Sequence, residues 1–168
     1  CEVPAENLLL APGGMKHLLS VFNFDRVATN PPICLGAAVA AFEAASQPLL
    51  DRRQYGQRLA DFQGLQWRLA DMAIDISAAR SLIHRAAEAF DHGEGGSIDA
   101  SIAKTYSNEM AVRVTNMAMQ LMGAYGLSKE FRLEQCYRDA RGFSVGYGTT
   151  EVQRNLIARE ILSGRRWL

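Results

Sequence analysis

A chain of 168 residues with 48% apolar side chains can bury one sizeable core without disulfide or metal staples. Eighteen basic and 18 acidic residues leave no formal net charge, so there is no electrostatic footprint for a nucleic-acid backbone or an anionic membrane. Cys1, Cys34 and Cys136 are widely spaced and form no C-x-x-C pair, and His17, His84 and His92 stand off metal-ligand spacing, which points to a reducing compartment and no structural metal.

The opening stretch from Cys1 to Leu10 reads as the end of a strand running into a turn, and a first residue other than Met points to a piece of a longer polypeptide. From Met15 to about Leu50 the pattern is helical, with a kink or break forced at Pro31-Pro32, because proline removes a donor and clashes with the preceding turn. Its longest apolar run, 33–42, is far short of the roughly 20 residues of a membrane span. Asp51 to Asp61 is polar, holds Gly56 and reads as a loop. Phe62, Leu65, Leu69, Met72, Ile76, Ile83 and Phe90 recur at three-to-four spacing and predict a long amphipathic helix ended by His92-Gly93. A second begins after Ser97, carries Ile98, Ile102, Tyr106, Met110, Val114, Met117 and Leu121, and closes at Gly123 to Gly126. Lys129 to Arg141 predicts a shorter helix, Gly142 to Gly148 a loop, and Glu151 to Ser163 a last helix with capping-box spacing at Thr150 and Gln153. No other strand is expected; the fold class is all-α, an up-and-down four-helix bundle.

Three segments hold candidate chemistry, each with an ordinary alternative. Arg52-Arg53-Gln54-Tyr55-Gly56 with Phe62-Gln63 is either a functional element or a solvated connection. Gln120-Leu121-Met122-Gly123-Ala124 puts a polar side chain before small residues, which a helix C-cap also requires. Gly146-Tyr147-Gly148-Thr149-Thr150-Glu151 opens a helix whose free amides suit an anion, or is simply a capped start.

In this order the three resemble the C-terminal domain of the acyl-CoA dehydrogenase family over essentially the whole chain. Arg52-x-x-Tyr55-Gly56…Phe62-Gln63 is similar to that family's R-x-x-F-G…F-Q element, Gln120-x-x-Gly123-Ala124 to its Q-x-x-G-G, Arg138-Asp139-Ala140 to its R-D-A, and Thr149 to Glu160 to its closing helix. The resemblance implies FAD as cofactor, with Arg52 and Gln63 reaching the flavin nucleotide of a neighbouring subunit and Gln120, Gly123, Ala124, Thr149 and Glu151 lying beside it. A guanidinium fork suits pyrophosphate. It also implies that residues 1–12 end a preceding β-domain and its linker, with the bundle domain at 13–168. The implied partners are an acyl thioester on CoA or a carrier, an electron-transfer flavoprotein, and further subunits in a homo- or hetero-oligomer, a dimer or a homotetramer. The implied location is the cytoplasm, or the mitochondrial matrix in a eukaryote.

One departure bears on catalysis. The family's usual glutamate base stands just before this G-T, and Tyr147 replaces it. A carboxyl group titrates near about 4 and a phenol near about 10, so a tyrosine is a poor base at neutral pH. The Tyr147 backbone N–H survives the change and, by resemblance, helps bind the thioester carbonyl. Some family members carry the base on the first helix, before a family-typical arginine; here that residue is Asp25, followed by Arg26. Asn23 and Arg26 occupy the positions of a D-x-x-R element that contacts acyl-CoA, and Gly148 is counted with them. Two rival expectations stand beside an α,β-dehydrogenase of fatty acid metabolism: a catalytically silent subunit of a hetero-oligomer, and a flavin monooxygenase on the same fold. Trp67, Trp167, Met72, Met110, Met117 and Met119 are expected in core or subunit packing, and Cys34 and Cys136 as inert thiols.

Overall fold

The structure, a computed structural model, describes residues 2–164; Cys1 and Trp167 lie outside them. The opening segment forms no strand: among the described residues it makes only a short 3-10 turn, Ala5–Asn7.

Helices α1 (Met15–Ala28) and α2 (Asn30–Asp51) form one rod broken at Thr29. The break falls just ahead of Pro31-Pro32 because the prolines occupy the first turn of α2, where their missing N–H groups cost nothing. By length and composition alone this rod could cross a membrane, but its stripe of Cys34, Ala38, Ala41, Ala45 and Leu49 is buried in the core.

The stretch read as a loop is instead a hairpin, β1 (Arg53–Gln54) paired antiparallel with β2 (Gln57–Arg58). Tyr55 and Gly56 both have positive φ, 53° and 81°, which matches the right-handed twist of two paired strands. A 3-10 turn, Leu59–Asp61, leads into α3 (Gln63–Asp91), and α4 follows (Ser97–Met122). The Tyr106 hydroxyl and the Arg113 guanidinium, both on α4, donate to Asp75 of α3 and tie the two helices side by side.

Helix α4 is the centre of the bundle rather than an amphipathic surface helix, and α1, α2, α3, α5 and α6 all pack on it. Alanines 100, 103, 111 and 118 let its neighbours approach closely, and Met110, Val114, Leu121 and Met122 fill the layers between them. Burying a side chain of the size of Met110 contributes about 1.5–3 kcal/mol. Trp67 is 62% exposed on α3 and belongs to no core layer; Met72 and Met110 do.

A 3-10 segment, Gly123–Leu127, caps α4, and α5 (Leu133–Val145) and α6 (Thr150–Leu162) complete the bundle. Helix α5 starts and ends four residues later than its sequence pattern suggests. It runs through Gly142 because Leu133, Ala140 and Ser144 are buried, and that burial outweighs the roughly 1 kcal/mol that glycine costs a helix.

Candidate functional site

The turn between α5 and α6 holds Gly146, Tyr147, Gly148 and Thr149. Tyr147 and Gly148 both sit in the left-handed region, at φ 58° and 88°, and the Tyr147 side chain is 47% exposed. Thr149, not Thr150, caps α6: its hydroxyl accepts from the Val152 N–H at 3.4 Å. The capping-box spacing is therefore one residue out of register, and the Gln153 side chain turns back to the carbonyls of Tyr147 and Gly148. Glu151 lies exposed in the first turn of α6, where hydrogen bonding to its own N–H and to the Thr149 hydroxyl holds its carboxyl below the usual range.

Arg26 is brought to this turn from α1. It is only 6% exposed, its Nη1 donates to Asn23 Oδ1 at 2.7 Å, and its Nε has no partner among the described residues. Its Nη2 lies 3.8 Å from where a side chain on Gly148 would begin. Asn23, Arg26 and Gly148 thus form one cluster, and burial lowers the guanidinium's pKa. Asp25, next to Arg26 in the last turn of α1, is half-buried on another face of the helix.

Lys104 of α4 is close enough to Arg26 for their charges to act on each other, and its spacing did not single it out. It is wholly buried, and its Nζ has no hydrogen-bond partner among the described residues. Burial pulls its pKa down to about 8, with the Arg26 charge acting in the same direction. Burial also pushes the Cys34 thiol up to about 11, against the Asn108 amide and Lys104, which keeps it an inert thiol at neutral pH. Burial pushes Cys136 upward too. A lysine whose folded pKa is depressed costs stability while charged, and that cost is relieved as pH rises from about 8 towards its ordinary value. Lys104→Met is therefore expected to stabilise the protein carrying this chain at pH 7 by about 1–3 kcal/mol and to remove the alkaline rise in stability. Denaturant midpoints at neutral and alkaline pH check both.

The remaining candidates gather at the opposite end of α4's sequence. Arg52, Gln120 and Gly123 line one groove of about 290 Å³ together with Gln54, Leu59, Leu65 and Arg68. Gln63 lies in an adjoining groove of about 520 Å³ with Tyr55 and Phe62, and Arg68 lines both. Arg68 had no signal in the sequence, since its place on the polar face of α3 is what a solvated arginine shows; here its Nη1 donates to Met117 Sδ. Gly123 has φ 63°, and the space above it holds only the Arg52 Nη1, 3.9 Å from the position of a Cβ. Ala124 is exposed just beyond. Neither groove is lined by a residue of α6, so Thr149 and Glu151 are not brought together with Arg52, Gln63 and Gln120 in either of them.

The family model described as acyl-CoA dehydrogenase, C-terminal domain, matches residues 13–162. The chain is 39% identical over 162 residues to a probable acyl-CoA dehydrogenase, YngJ, of Bacillus subtilis, covering 96% of this chain and 42% of that protein. It is 33% identical to subunit CarC of the caffeyl-CoA reductase–Etf complex of Acetobacterium woodii, again over 96% of this chain and 42% of the relative. The structure of butyryl-CoA dehydrogenase from Megasphaera elsdenii superposes with a TM-score of 0.88 at 36% identity, covering 95% of this chain and 42% of that one. The chain thus spans about two fifths of the length of these relatives. With the match running from the first turns before α1 to the end of α6, the chain belongs to the acyl-CoA dehydrogenase family, and its fold is that of the family's C-terminal helical domain.

Proposed function

We propose that this chain is the C-terminal domain of an FAD-dependent acyl-thioester α,β-dehydrogenase in which Asp25 replaces the missing glutamate as base. The observation that carries the reading is the Tyr147–Gly148 turn, held in left-handed geometry at the start of α6 and packed over Arg26. The residues present fit the cofactor. Arg52 lines a groove with the Gln120 side chain and Gly123, whose backbone carries no side chain, a donor set suited to a pyrophosphate. FAD, when bound, supplies the acceptor for the hydride leaving the β-carbon.

The protein's own part is proton and charge handling. The Asp25 carboxylate takes the α-proton, and the Tyr147 N–H donates to the thioester oxygen on which charge develops. Arg26 and Asn23 orient the acyl carrier arm beside Gly148, while Thr149 and Glu151 would hold the nucleotide when it is bound. That no residue of α6 lines the grooves of Arg52 and Gln63 is consistent with an oligomer in which these two residues reach a partner's cofactor. The domain division at residue 12, a cytoplasmic location and electron delivery to an electron-transfer flavoprotein belong to the same proposal. The relative whose name includes an Etf complex supports the last of these.

Tyr147 itself favours a second reading, a silent subunit whose homologous partner carries the glutamate. Anaerobic addition of acyl-CoAs to the full-length flavoprotein separates the two. Bleaching of the flavin by a homo-oligomer is the expected result, and co-purification of a homologous second chain with no bleaching by the homo-oligomer would overturn it.

A further inference from the structure

Gln153 is wholly buried in the second turn of α6. Its Nε2 donates to the carbonyls of Tyr147 and Gly148 at 3.4 and 3.2 Å, and its Oε1 has no partner among the described residues. The two carbonyls it holds belong to the two residues of the turn with positive φ. For Tyr147 that conformation crowds Cβ against the backbone, and it persists only where the surroundings over-determine it. The same amide nitrogen would stand 2.8 Å from a Cβ on Gly148, so the glycine and the glutamine are fitted to each other. The Arg26 Nη2 lies 3.8 Å from the same point.

We infer that Gln153 is a positioning residue for the reaction: by fixing the Tyr147 and Gly148 carbonyls it sets the aim of the Tyr147 N–H at the thioester oxygen. This rests on the dehydrogenase reading above. A polarising donor works only when it is already aimed at the place where charge develops, and the family's glutamate is not there to assist. Gln153 touches neither substrate nor cofactor in this scheme; it acts through the turn.

The test uses the full-length flavoprotein with Gln153→Met, which keeps the length and removes the donor, and Gln153→Glu, which keeps the shape and replaces the donor with an acceptor. Two readouts are taken. Hydrogen exchange of the segment 146–149, without substrate, is expected to speed up about tenfold or more in both variants while the rest of the bundle keeps its protection. The rate of anaerobic bleaching at saturating acyl-CoA is expected to fall about 10- to 100-fold with substrate affinity little changed. Either readout left unchanged overturns the inference. So does a uniform loss of protection, or failure of both variants to fold, each of which would make Gln153 a core residue only. A wild type that bleaches with no acyl-CoA overturns the dehydrogenase reading instead, and the exchange comparison then decides by itself whether Gln153 holds the turn.

Discussion

Asp25→Asn is expected to slow anaerobic bleaching of the flavin by acyl-CoA by about 10²- to 10⁴-fold, the range that a positioned general base contributes, while flavin content and substrate affinity stay near those of the wild type. The substitution keeps size and hydrogen-bonding shape and removes the proton acceptor. Its neighbours make it a clean test. Arg26 is anchored by Asn23 and packed at Gly148, so this cluster does not depend on the Asp25 charge. Asp25 shares its helical face with Phe22 and Thr29, both partly buried, which places it at the rim rather than inside the bundle. A bleaching rate unchanged in the variant would move the base elsewhere. Tyr147→Phe, which keeps the backbone N–H, is the natural control, because the proposal gives the phenol no proton to take.

Gly126→Ala is expected to destabilise the protein by about 3 kcal/mol, the upper part of the usual range for overpacking, and to weaken flavin retention with it. Gly126 is buried in the 3-10 segment that caps α4, and a Cβ there would stand 2.6 Å from the Met119 carbonyl oxygen and 2.9 Å from its Cα. Those are backbone atoms of α4 and cannot rotate aside. The segment would have to lift from the helix end, carrying Gly123 and the groove it shares with Arg52 and Gln120. Gly123→Ala isolates the other ingredient, since its Cβ meets the Arg52 Nη1 at an ordinary 3.9 Å contact but keeps φ 63°; about 1–3 kcal/mol is expected from backbone strain alone. Denaturant midpoints and the flavin-to-protein ratio after gel filtration read both. Equal stability of Gly126→Ala and wild type would refute the close contact.

The sequence by itself determined the helices and their order. Apolar residues at three-to-four spacing mark α3 and α4, Gly93 and Gly123 stop them, and the paired prolines break the first rod, all through local backbone chemistry acting within a few residues. The family was legible for the same reason: Arg52-x-x-Tyr55-Gly56, Gln120-x-x-Gly123 and Thr149 to Glu160 are short motifs in a fixed order. What only the tertiary structure decided depends on neighbours distant in sequence. Tyr55 accepts a positive φ because two strands close over it, and α5 runs through Gly142 because its buried face outweighs propensity. Thr149 rather than Thr150 caps α6. Lys104 carries no motif in the sequence and Gln153 carries only capping-box spacing; they are buried because α4 is surrounded and because the Tyr147 turn folds back onto α6. Periodicity reports which residues share a face, but it cannot say how many faces a helix must bury, since that is set by the elements packed around it.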